Sequence, residues 1–173
     1  GAPPFNAFNG VANAYVYANF QAGSGVSTLS NWMFMPARYL QNGDVLTFRT
    51  RKAAPDAFAD RLEVRLSTNG NAMNVGTTAT SVGDYTTVLL TINPTLITGV
   101  YPTAWTQYTI TISGLAQPTV GRIAFRYFVT NGGPSGANSD YIGIDNVVYT
   151  PVSAPTNDNC AGATSIPHGV NCT

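Results

Sequence analysis

The chain has 173 residues, enough for one domain with a substantial core. Its eight basic and eight acidic side chains cancel, and charged residues make up only 9%, so Thr, Asn, Ser, Gln and the backbone must solvate the surface. That balance excludes a nucleic-acid binder, which needs a clustered basic face, and no stretch reaches the ~18 continuous apolar residues of a membrane span.

The opening residues GAPPFNAFNGVA, with two prolines and two Asn-containing turns, keep no strand period and read as irregular surface chain. Residues NAYVYANF alternate, with Tyr15, Tyr17 and Asn19 on one side and Ala14, Val16, Ala18 and Phe20 on the other, which predicts an early strand. QAGSGVSTLS follows as a flexible connection. NWMFMPARYL is apolar up to Pro36, where a strand should end or sit at an edge, because proline cannot donate to a ladder.

After a turn at residues 41–44, VLTFRTR sets Leu46, Phe48 and Thr50 against Val45, Thr47, Arg49 and Arg51. RLEVRLS then points Leu62, Val64 and Leu66 inward and Arg61, Glu63 and Arg65 outward, so these two segments predict half-buried strands. Residues Thr68 to Asp84 are small and polar and read as a long exposed loop. YTTVLLTI and WTQYTITI make two further strands on either side of the loop at residues 94–102.

The last pair is RIAFRYFVT and YIGIDNVVY, joined by the polar loop NGGPSGANSD. In the first, Ile123, Phe125, Tyr127 and Val129 share a face, opposite Arg122, Arg126 and Thr130. About eight strands, no helical period and long polar loops predict an all-β antiparallel jelly-roll sandwich over residues 1–150. PVSAPT then reads as a linker into a tail ending at residue 173.

Catalytic groups are sparse. The only histidine is His168, in the tail, and neither a Gly-x-Ser-x-Gly elbow nor a phosphate loop is present. A zinc site is disfavoured for the same lack of ligands. Cys160 and Cys172, with eleven residues between them in the tail, are a candidate disulfide contributing about 3 kcal/mol at most to that tail, with two free thiols as the alternative.

The acids Asp56, Asp60, Glu63, Asp140 and Asp145 form the pool from which a glycosidase pair could be drawn. Calcium suits them better, because it accepts six to eight oxygen ligands in irregular loops. Asp145 is the first candidate: an ionised carboxylate inside an otherwise apolar strand is costly unless a cation, several turn amides or an Arg such as Arg126 meets it. Asp60 and Asp140 are further candidate ligands, with loop solvation as the alternative. Trp32, Trp105 and Tyr101 are candidates for a sugar-stacking platform, the alternative being that they belong to the core.

Taken in order, SNWMFMPARYLQNGDVLTFRTR, DRLEVRLSTNG, VGDYTTVLLTINP, YPTAWTQYTITISGL and GRIAFRYFVTNGGPSGANSDYIGIDNVVY resemble the bacterial choice-of-anchor J domains, relatives of the cleaved adhesin domains of gingipain-type proteins. The resemblance runs from about Asn13 to Thr150. It implies a jelly-roll module of a secreted or cell-surface bacterial protein, without catalytic activity, that binds an extracellular protein or glycan and holds structural calcium. Asp145 matches the acidic position on the last strand of that family. NDNCAGATSI resembles the opening of a separate secreted module.

Relatives carry a further strand, with a calcium-binding acid, upstream of the Ala-Asn-Phe segment. This sequence begins after that point, which predicts an unpaired edge. The chain is then a fragment, or closes differently, or is completed by residues 151–173 of its own or a neighbouring copy. The last case makes strand exchange into an extracellular filament the alternative function.

Overall fold

The computed structural model describes residues 3–152. It contains nine strands: β1 (Val16–Asn19), β2 (Ser27–Phe34), β3 (Arg38–Leu40), β4 (Val45–Lys52), β5 (Leu62–Ser67), β6 (Thr87–Ile92), β7 (Thr106–Thr111), β8 (Thr119–Gly132) and β9 (Tyr141–Thr150). A 3-10 turn over Phe20–Ala22 follows β1, with the Asn19 side chain accepting from the Gln21 amide as its cap.

The strands form two stacked sheets, one ordered β1-β9-β4-β7 and the other β2-β8-β5-β6, with β3 also on β8. Every ladder between these strands is antiparallel. Pro36 acts as expected: pairing along β8 stops at Phe34 and resumes at Arg38, so one edge is carried by β2 and β3 in turn.

The inward faces follow the period-two pattern. Leu46 and Phe48 from one sheet meet Leu62, Val64, Leu66, Ile123, Phe125, Tyr127 and Val129 from the other, all buried. Phe48 and Phe125 pack edge to face across the gap with ring centroids 4.9 Å apart. Each such side chain contributes about 1.5–3 kcal/mol by leaving water, which is what holds the sheets together.

Three local expectations are corrected. β2 begins at Ser27, within the stretch read as a flexible connection, because the long β8 continues to Gly132 and offers Ser27 a partner there. Glu63 and Arg126 are buried although they point away from the core, since the loop following β5 lies over that outer face and Ala79 accepts a 2.6 Å bond from Arg126. The opening segment is irregular, but Phe5 within it is only 8% exposed. The linker beyond Val152, the tail and both cysteines lie outside the described residues.

Candidate binding cleft

Tyr15, Tyr17 and Asn19 share one side of the chain entering and forming β1, as their spacing predicts. The register of β1 on β9 pairs Tyr17 with Gly143 and Asn19 with Tyr141, which brings them beside Tyr141 on the outer face of the sheet. The N-terminal segment crosses that face. Phe5 inserts among Tyr15, Tyr141 and Trp105 at centroid distances of 5.2, 5.4 and 5.6 Å. It fits because Gly143 beneath it has no side chain: a Cβ there would stand 2.8 Å from Phe5 and 2.9 Å from Trp105 and Tyr15.

Polar contacts fasten the same segment. Trp105 donates its indole N–H to the Asn6 carbonyl at 2.9 Å. The Arg51 and Arg49 guanidiniums lie 4.4 and 3.9 Å from the Phe5 and Phe8 ring centroids. The amides of Phe8 and Asn9 donate to Asp145 Oδ2 at 2.8 and 3.1 Å, and the Asn146 amide donates to Oδ1 at 2.6 Å. Asp145 is therefore met by backbone amides, while Arg126 belongs to the other sheet. Three N–H groups aimed at one carboxylate make a donor nest that does not fit a cation.

Between this strap and β1 opens a cleft of about 640 Å³, bordered by Pro3, Asn13, Tyr15, Tyr17, Gln21, Asp140 and Tyr141 among others. Its platform is the parallel pair Tyr17 and Tyr141, with ring centroids 5.0 Å apart and planes 9° from coplanar. Tyr17 is 60% exposed. Burial and the neighbouring Tyr15 hydroxyl, 3.3 Å away, hold the Tyr141 phenol above its ordinary pKa, so it stays protonated and can donate. The Asp140 carboxyl is also raised, by partial burial and then by nearby Asp60.

Beneath the cleft lies a second polar cluster. Lys52 and Asp60 are both fully buried, with Nζ 3.0 Å from Oδ2. The same ammonium donates to Asp56 Oδ1 and the Phe58 carbonyl. Asp60 Oδ1 accepts from the Tyr127 hydroxyl at 2.6 Å and from the Asp140 amide at 2.9 Å. The cluster thereby fixes the chain where it enters β9 and hence the wall of the cleft.

The sequence-derived candidates now separate. The oxygens of Asp56 and Asp60 that would face a calcium ion face an ammonium instead, and among the described residues no three His, Cys, Asp or Glu side chains converge on a metal position. The residues do not fit the calcium that the resemblance implies. Asp140 is the one member of the acid pool in the cleft. Glu63 pairs with Arg65 and Arg126 on the far sheet. Among the described residues no second carboxylate faces Asp140 across the cleft.

None of the three proposed aromatics forms the platform. Tyr101 is 2% exposed, with its hydroxyl 2.7 Å from that of Thr50, so its ring cannot stack on a ligand. Trp105 packs edge-on under Phe5, and Trp32 lies on the opposite sheet, stacked with Phe34, tilted against Tyr85 and beside the Arg126 guanidinium. Of the two tyrosines that form the platform, Tyr17 stood in the alternating run NAYVYANF, and Tyr141 opens the last strand, YIGIDNVVY.

No protein-family profile matches the chain, and no curated protein matches it. Among solved structures it is similar to the K1 cleaved adhesin domain of Lys-gingipain from Porphyromonas gingivalis, at 27% identity and TM-score 0.55, over 86% of this chain and 79% of that one. The K3 domain of the same protein matches at 20% identity and TM-score 0.53, over 82% of this chain and 80% of that one. The K2 domain matches at 17% identity and TM-score 0.50, over 87% and 78%. The all-β antiparallel sandwich is thus shared with adhesin domains.

Proposed function

We propose that the chain is a non-catalytic binding module that works outside a bacterial cell and takes a saccharide in the tyrosine cleft. The observation that carries this is the flat Tyr17–Tyr141 platform, exposed at Tyr17 and bordered by Asp140, Gln21 and Asn13. A pyranose ring offers apolar C–H faces to stack on such a surface and hydroxyls that a carboxylate and amides can hold. Among the described residues the Asp140 carboxylate accepts no hydrogen bond within the protein, so its oxygens are available to a ligand.

The likeness to the K1 adhesin domain supports a binding role, and the composition, poor in charge and rich in Thr, Asn and Tyr, supports an extracellular one. A glycan array read with the native chain and with Tyr17→Ala tests the proposal. The native chain should bind a defined saccharide class that the variant loses while its melting temperature is unchanged. An array with no ligand, or binding that ignores Tyr17, would overturn it.

A further inference from the structure

The tyrosine cleft holds one charged side chain. Among the described residues that border it, the phenols aside, Asp140 alone ionises, and Asn13, Asn19 and Gln21 supply neutral amides. The Arg51 guanidinium lies against the Phe5 ring and does not reach that border.

The cluster beneath has no proton to spare for Asp140. Lys52 donates to Asp56 Oδ1 and to the Phe58 carbonyl and stands 3.0 Å from Asp60 Oδ2, and an ammonium has three protons. The other oxygen of Asp56 accepts from the Gly99 amide, and the other oxygen of Asp60 accepts from the Tyr127 hydroxyl and the Asp140 amide. Three carboxylates therefore share one ammonium, and donors within the protein satisfy two of them. The third, Asp140, borders the cleft with its charge uncompensated. Burial and then the Asp60 charge raise its pKa, and Lys52 offsets them only in part.

We propose that the ligand of this cleft is an amino sugar, a pyranose with a free ammonium group, held with its ring on the Tyr17–Tyr141 platform and its ammonium on Asp140. This rests on the saccharide reading of the cleft and adds the charge of the ligand. A sugar hydroxyl leaves the excess negative charge in place and a uronate or sulfate adds to it, whereas an ammonium neutralises it. The aromatic side favours the same ligand. The Tyr17 ring, 60% exposed, attracts a cation as well as C–H groups, and Tyr15 extends the aromatic border, edge-on to Tyr141 with centroids 6.5 Å apart. An N-acetylated amine loses both attractions, because an amide carries no charge.

The test is isothermal titration of the native chain with three oligosaccharides of one linkage and length, built of glucosamine, N-acetylglucosamine and glucose. The glucosamine oligomer should bind about tenfold more tightly than either neutral one, the step between a charged and a neutral hydrogen bond. That preference should shrink as salt is raised. Asp140→Asn should bind all three with similar affinity and melt no lower than the native chain, and Tyr17→Ala should weaken all three alike. Neutral oligomers that bind as tightly as the glucosamine one, or a glucosamine preference that survives in Asp140→Asn, would overturn the amino-sugar assignment and leave the saccharide reading standing. Binding of none of the three by a chain that holds another saccharide on the glycan array would do the same. An array without any ligand removes both.

Discussion

Lys52 and Asp60 stand 3.0 Å apart with neither side chain reaching solvent, and the pair is tied through the Asp140 amide to the cleft above it. Removing one partner strands the other charge in the interior. Lys52→Met should cost about 3–5 kcal/mol, read from the urea midpoint at constant m-value, and a loss below ~1 kcal/mol would show that water reaches the cluster.

The same pair settles how the protein should respond to chelation. With an ammonium where a metal would sit, EDTA should leave the native melting temperature unchanged, whereas a bound structural ion would make it fall. In the Lys52→Ala chain the vacated space among Asp56, Asp60 and the Phe58 carbonyl becomes an oxygen-rich hole. Calcium should then raise the melting temperature of that variant and of no other.

Alkaline pH attacks the cluster from two sides. Burial pulls the Lys52 pKa down, but Asp60 and Asp56 more than offset it and leave it raised. Burial, reinforced by Asp60, holds Tyr127 well above its usual range. Both groups favour the protonated form more when folded, so their stabilisation is complete below the unfolded values near ~10 and is lost as pH rises through the folded ones. Urea midpoints should therefore show no fall from these groups up to about pH 10 and a decline above it. Tyr127→Phe should soften that decline, and a drop already evident between about pH 7 and 9 would contradict the assignment.

Saccharide binding should weaken about tenfold, or ~1.4 kcal/mol, in Tyr17→Ala, the order expected for one lost stacking face. Asp140 sets the acid limit. Its pKa is raised by burial and by Asp60, so binding through the carboxylate should fail as pH drops through a value above the ordinary ~3.9. Asp140→Asn should bind more weakly at neutral pH and lose the pH dependence, as isothermal titration at several pH values would show.

These sites were unevenly legible. Alternation in VLTFRTR, RLEVRLS and RIAFRYFVT located strands and inward faces because period two is a local signal. The need for a compensating partner was readable at Asp145, whereas Asp60 read as a calcium ligand or a solvated loop acid; its partner is Lys52, eight residues earlier in the chain. Nothing local distinguishes such a lysine from one on the outer face. Phe5 was hidden for a stronger reason: its burial depends on Gly143 and Trp105, brought under it only by the stacking order of β9, β4 and β7. An irregular segment carries no period to announce that it covers a sheet.

Gly143 offers the sharpest way to separate the strap from the sandwich. A Cβ at this position meets Phe5, Trp105 and Tyr15 at 2.8–2.9 Å, all side chains, while the backbone of β9 needs no left-handed conformation there. Gly143→Ala should therefore leave both sheets formed and push Phe5 off the face, at about 1–3 kcal/mol. Released from Phe5, the Trp105 indole should become more accessible, and quenching of its fluorescence by iodide should increase. Saccharide binding should fall in parallel, since Tyr15 and Tyr141 lose the ring that braces them. Phe5→Ala, which removes the same brace without a clash, should reproduce the loss of binding. If it binds normally, the strap has no part in shaping the cleft.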